Sequence, residues 1–169
     1  LERAEPWQLV LTADEINAWL TTELATKLPH ALPPDVSHPR VAIIDKTIYF
    51  ACQHKQVFGG VLSIALVPEL TDRHNEVAVR VQSFSLGRLP LPQKQYLDEV
   101  SRAAARAGVN LQWKEEAGAA VALITVPDRI ESLRNRVVTV KSLAVREGEI
   151  VVEGTSEREV QTAQVRPRR

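Results

Sequence analysis

Two periods divide the chain. Ile16, Leu20 and Leu24 recur at every fourth position with Trp19 beside them, which predicts one apolar stripe on a helix over residues 13–28. Thr12-Ala13-Asp14-Glu15 opens it as a capping box, the hydroxyl accepting from the Glu15 amide and the carboxylate reaching back to the Thr12 amide. Pro29 stops this helix, and Leu32-Pro33-Pro34-Asp35 forms a stiff connection because each proline fixes φ and lacks a donor. The period then changes to two. Val41-Ala42-Ile43-Ile44, Asp45-Lys46 and Ile48-Tyr49-Phe50-Ala51 predict a hairpin. Residues 57–67 predict a long strand with a bulge or bend at Gly59-Gly60, closed by Pro68. Val77, Val79 and Val81 share one face of the next strand, and Arg80 and Gln82 take the other.

Phe84-Ser85-Leu86-Gly87-Arg88-Leu89-Pro90-Leu91-Pro92 breaks that alternation and delivers the chain into a second helix from about Gln93. Tyr96, Leu97, Val100, Ala103, Ala104 and Ala107 form its apolar side, and Gly108 takes the position after the C-cap. Alanines on that side let the helix approach a sheet closely. Residues 109–113 with 119–126, and 137–145 with 150–152 around Arg146-Glu147-Gly148-Glu149, predict two more hairpins. Past Gly154 the composition turns polar, so 1–154 reads as a single domain and 155–169 as a disordered tail. Strands in runs, not alternating with helices, define the α+β class: a bent, mostly antiparallel sheet of six to eight strands packed on two helices.

The opening Leu11-Thr12-Ala13-Asp14-Glu15-Ile16-Asn17-Ala18 and the joint Ser85-Leu86-Gly87-Arg88-Leu89-Pro90-Leu91-Pro92 together resemble the YpmS-like family of bacterial proteins. The resemblance covers about residues 9–126 and includes no catalytic motif. It implies an extracytoplasmic domain tethered to the membrane by an N-terminal segment, and an elongated α+β shape. The C-terminal hairpin more faintly resembles the strand-turn-strand units of lipid-binding envelope proteins.

Composition narrows the function classes. Twenty-one basic and 21 acidic residues give zero net charge, without the basic excess that nucleic-acid binding usually needs, so no nucleic-acid partner is expected. A single cysteine, Cys52, excludes an internal disulfide. The chain starts at Leu1 and contains no methionine, which is expected of a processed chain whose upstream part is a signal peptide, an anchor or a tag. Membrane association is expected only through such a segment.

Candidate chemistry is sparse. His30, His38, His54 and His74 are scattered and show no zinc spacing. No Gly-x-Ser-x-Gly elbow is present. Cys52 lies in an apolar strand, where a thiol is inert packing, although His54 two residues on shares its face. Asp98-Glu99 and Glu115-Glu116 are neighbours whose side chains point apart. No enzymatic activity, cofactor or metal is therefore expected. Two-faced apolar strands are the positive signal: Val61, Ser63, Ala65 and Val67 alternate with Leu62, Ile64 and Leu66, and Ala119, Val121 and Leu123 with Ala120, Ala122 and Ile124. One such face can line a lipid groove between helix and sheet, with Leu20, Leu24, Leu62, Ile64, Leu66, Phe84, Leu97 and Val121 as candidate lining residues. The same residues are the best core candidates. The expected function is a non-enzymatic cell-envelope domain holding a lipid or acyl chain. The alternative is an envelope scaffold that recruits a protein partner and needs no small ligand.

Overall fold

The structure, a computed structural model, describes residues 4–29, 31–55, 60–129 and 136–158. Its elements in order are β1 (Glu5–Thr12), α1 (Ala13–Thr22), α2 (Leu24–Lys27), β2 (Val36–Ile44), β3 (Thr47–His54), β4 (Gly60–Leu70), β5 (Glu76–Leu86), β6 (Leu89–Pro90), α3 (Leu97–Arg106), β7 (Leu111–Glu116), β8 (Ala119–Thr125), β9 (Arg136–Arg146) and β10 (Glu149–Arg158). The class is α+β. A seven-stranded antiparallel sheet runs β2-β3-β4-β5-β8-β7 with β6 paired to β5, and β1-β10-β9 form a second sheet of three strands.

Turn chemistry explains why the predicted hairpins close. Asp45 at φ 53° begins the β2–β3 turn, a left-handed conformation that aspartate tolerates better than most residues. Ala117 and Gly118, at φ 51° and 77°, supply the paired positive angles of a two-residue turn between β7 and β8. Gln93–Gln95 form one 3-10 turn before α3. At the other end of α3, Gly108 donates to Ala105 at 3.1 Å and Val109 to Ala104 at 2.9 Å, the Schellman pattern that ends a helix.

A bulge sets which side chains share a face. Ala65 pairs with Ser83 and Leu66 with Val81, so Gln82 is the extra residue of β5. Val77, Val79 and Val81 therefore share their face with Phe84 and Leu86, three residues and not two beyond Val81. The matching positions are Leu62, Ile64 and Leu66 on β4, and Ile48, Phe50 and Cys52 on β3. Helix α3 lies over this face.

The first helix is shorter than the stripe predicts. Thr21 and Thr22 donate their hydroxyls to the Asn17 and Ala18 carbonyls at 2.8 and 2.9 Å, which competes with the ladder, and the helix breaks at Glu23. The predicted capping box is present: Glu15 N–H donates to Thr12 Oγ1 at 3.2 Å, and Thr12 N–H to Glu15 Oε2 at 2.9 Å. Helix α1 lies along the outer edge of β2. Asn17 donates through Nδ2 to the Val41 carbonyl and accepts from the Val41 amide through Oδ1, both at 2.8 Å, and so replaces a neighbouring strand there.

Three strands differ from expectation. β4 runs through Pro68 to Leu70, because its pairing with β3 ends near Leu66 and a proline is tolerated where one neighbour is missing. The predicted start of that strand at 57–59 lies outside the described residues. β10 extends through Thr155 to Arg158, into the stretch expected to be a tail, because β9 and β1 both pair with it. β1 itself is exposed along most of its length and carries little alternation in burial.

Asn75 joins the two sheets. It is 2% exposed and sits at φ 52° in the β4–β5 turn. Its side chain donates to the Val138 carbonyl and accepts from the Val140 amide, both at 2.8 Å, and its own carbonyl accepts from Val126 at 2.8 Å. The tips of the β2–β3 and β9–β10 hairpins also meet: Gly148 N–H donates to Ile43 O at 3.0 Å, and Asp45 N–H to Glu147 Oε2 at 2.8 Å.

Candidate functional site

Under α3 the bulge-set face forms a cleft of about 430 Å³. Phe50, Cys52, Leu62, Ile64 and Phe84 come from the sheet, while Tyr96, Val100 and Ala103 come from the helix. The segment before β2 closes one side with Ala31, Leu32, Pro33 and Val36. The Phe84 and Tyr96 rings, with centroids 4.4 Å apart and planes at 36°, fasten the helix to the sheet. The small Ala103 side chain leaves the volume open where a larger residue would fill it.

Two carboxylates and an imidazole interrupt this apolar lining: Asp35, Glu99 and His54. Glu99 is exposed, while Asp35 and His54 are half-buried. The Asp35 carbonyl accepts from the Lys55 amide at 2.8 Å, which ties the 31–35 segment to the end of β3. Nδ1 of His54 is fully buried and has no hydrogen-bond partner.

Cys52, His54 and two carboxylates thus share one cavity, a convergence that would suit nucleophilic catalysis. The electrostatics argue otherwise. Cys52 is 3% exposed, and burial pushes its pKa up, which favours the thiol over the thiolate. His54 does not hydrogen-bond it. A nucleophilic cysteine needs a base or cation to lower its pKa, and the surroundings here do the reverse.

The sequence-predicted lining residues divide among several places. Leu62, Ile64 and Phe84 line the cleft. Leu66 shares their face but lies farther along β4, opposite Ile48 and Val81. Leu20 and Leu24 line a different hollow of about 350 Å³, because α1 follows the β2 edge and does not cross the sheet. Leu97 lines a third hollow with Gln93, Lys94 and Trp113. Val121 is on the opposite face of the large sheet and is 1% exposed. Its register partners are Arg80 and Lys114, whose cationic heads meet Glu116 at 3.6 and 3.2 Å, and their stems flank it. Those charges hold the Glu116 carboxyl below its ordinary pKa, the Lys114 hydrogen bond contributing most.

Phe50, Cys52 and His54 escaped the sequence-based lining, although their two-residue spacing already put them on one face. Tyr96, Val100 and Ala103 were legible as one helical side but not as the roof of this cleft.

A second apolar surface lies on the three-stranded sheet. Trp7, Leu9, Val138, Val140, Leu143 and Val152 share one face, which with Val77 and Val126 lines a trough of about 580 Å³. Gly154 lies in its floor. A Cβ there would collide with the Thr139 carbonyl and the Trp7 ring. Arg136 closes one end, bonded to Glu5 Oε2 at 2.6 Å and Ser156 Oγ at 3.0 Å.

Among the described residues no group of three or more His, Cys, Asp or Glu is placed to hold a metal ion. No helix among them is long and apolar enough to cross a membrane. The chain finds no match among family models, curated proteins or solved structures.

Proposed function

We propose that this protein is a non-enzymatic cell-envelope domain that holds an acyl chain in the cleft between α3 and the seven-stranded sheet. One observation carries the reading: an opening of about 430 Å³, walled by helix, sheet and the 31–36 segment, apolar in its body and polar at only a few points. Ligand sites of about 300–1,000 Å³ commonly have that make-up. Burial raises the Cys52 pKa and favours its thiol form, which adds to the apolar floor. The envelope setting rests on the resemblance carried by residues 11–18 and 85–92.

Native mass spectrometry of protein purified without detergent tests this. A reproducible stoichiometric adduct of acyl-chain mass, absent from Ala103→Trp, is the expected result. A bare mass for the wild type, together with no binding of added amphiphiles, removes the reading.

The exposed trough favours a second reading, the scaffold. Leu9 is 46% exposed there, in an otherwise apolar face. On that reading a protein partner covers the three-stranded sheet, and the cleft stays empty. Sizing of the free protein against the partner complex separates the two.

A further inference from the structure

One sheet margin is left unguarded, and its groups complement themselves. We infer that β1 pairs antiparallel with β1 of a second copy of this chain, about a two-fold axis through Leu9, and joins the two three-stranded sheets into one continuous sheet. The inference does not depend on what the cleft holds.

Among the described residues the other margins are occupied or charged. Asn17 bonds both backbone groups of Val41 on β2. On β9, Asn75 holds the Val138 carbonyl and the Val140 amide, and the Val138 amide donates to the Asp128 carbonyl at 2.7 Å. β7 carries Lys114, Glu115 and Glu116, charges of the kind that keep an edge unpaired. β1 carries no charge from Pro6 to Thr12, and Leu9 and Val10 are 46% and 41% exposed.

Ladder parity identifies the open groups. Ala13 N–H donates to the Gly148 carbonyl, on the β10 side, at 2.8 Å. Antiparallel ladders turn alternate residues to opposite sides, and β1 keeps an unbroken register with β10. Leu11, Leu9 and Trp7 therefore bond β10, while Thr12, Val10, Gln8 and Pro6 turn outward. The Thr12 amide is taken by Glu15, and Pro6 has no N–H. Gln8 and Val10 remain, each turning an N–H and a C=O outward. A two-fold at Leu9 sets Gln8 of each copy opposite Val10 of the other and uses all of these groups. It also sets Leu9 against Leu9, and Trp7 against Leu11, on the trough side of the sheet, so the side-chain pairs crossing the joint there are apolar. An axis at Gln8 would instead set Glu5 against Leu11, and Val10 against Pro6, which offers no donor. The edge thus fits a second copy in one register.

Sedimentation equilibrium of the full chain at concentrations up to about 1 mM tests this. A monomer–dimer equilibrium is expected. Leu9→Lys sets two ammonium groups face to face and removes both leucines from the joint, so it should weaken the dimer about tenfold or more. Val10→Pro removes one outward donor from each copy and should weaken it too, on an edge that already carries Pro6. Circular dichroism melts check that each variant stays folded. Cysteines read the register and keep the test open if a variant does not fold. Across the axis the two Leu9 Cβ atoms lie about 4.5–5.5 Å apart, whereas Gln8 faces its own copy only on the diagonal. Oxidised Leu9→Cys should therefore give a covalent dimer and Gln8→Cys should not, with Cys52 buried in both. A monomer at every concentration overturns the pairing and leaves the edge to a strand of another protein. A dimer that Leu9→Lys and Val10→Pro leave intact, or equal cross-linking from the two cysteine positions, overturns it as well and moves the contact elsewhere.

Discussion

The two sheets each carry an apolar face, and they dispose of it differently. The seven-stranded sheet covers its face with α3, and Phe84 and Tyr96 hold the helix down at one end while Ala103 leaves space farther on. The three-stranded sheet leaves its face as an open trough with Leu9 exposed. Area alone therefore does not mark a site. Walls on several sides and a few polar groups distinguish the cleft from the trough. Asn75 connects the two regions, so their difference can be broken or sharpened at a small number of positions.

Substitution of Asn75 is expected to have the largest effect. Asn75→Ala leaves the Val138 carbonyl and Val140 amide unpaired in a buried site, and places alanine at positive φ. A loss of about 2–5 kcal/mol is expected in chemical denaturation. Asn75→Asp keeps the acceptor for Val140 but turns a carboxylate oxygen toward the Val138 carbonyl in a buried site, so at neutral pH it should cost at least as much. A smaller loss than that of Asn75→Ala would mean that the bond from Val140 alone fixes the joint.

Next is Gly154→Ala, which forces a methyl group against the Thr139 carbonyl and the Trp7 ring. The expected cost is about 1–3 kcal/mol. Trp7→Ala in the same chain should relieve only part of it, because the Thr139 contact is backbone. Full relief would place the whole clash on the ring. Binding of an added amphiphile in the cleft should be unchanged, since neither residue lines it.

Asn17→Ala tests the other asparagine that stands in for a strand. Its bonds to Val41 are part-buried, so the expected cost is about 1–2 kcal/mol, less than for Asn75. A cost equal to that of Asn75→Ala would show that burial does not set the difference between them.

Thr12→Ala is the smallest, at about 1 kcal/mol. The Thr12 backbone and side-chain hydrogen bonds, in that order, lower the Glu15 pKa from its ordinary value of 4.5. A depressed folded-state pKa stabilises the fold above the unfolded value, and that contribution fades as pH falls through the folded value. In urea melts the gap between wild type and variant should therefore narrow from neutral pH to strong acid without closing, because only the Thr12 hydroxyl bond to the Glu15 carboxylate depends on its charge, while the Glu15 amide still donates to Thr12 Oγ1 in the wild type.

Local features of this fold were legible in sequence. The capping box, the hairpin turns and Gly108 depend on residues within a few positions of one another. The assignment of strands to two sheets was not, since β1 finds its partner β10 across nearly the whole chain and Gln8 bonds Glu153 at a separation of 145 residues. The candidate site was legible in part for the same reason. Phe84 joins the face of Val77, Val79 and Val81 only because Gln82 bulges, and the period of two does not show that shift. Val121 and Ala122 are both apolar, so pattern alone leaves open which of them faces the helix. Leu20 and Leu24 form a true helical stripe, but the neighbour it packs against is decided by tertiary contacts.

The Asn17 bonds have a consequence for assembly. A sheet polymerises by strand addition only if both margins accept a neighbour. At the β2 margin Val41 has both of its backbone groups taken by Asn17, and the Ile43 carbonyl is taken by Gly148. β7 is the other margin, and it carries Lys114, Glu115 and Glu116. Copies that meet through this sheet must therefore meet β7 to β7 about a two-fold axis, which uses up the open margin of each. Growth then ends at a pair, and light scattering at high concentration should show a dimer ceiling that Asn17→Ala lifts.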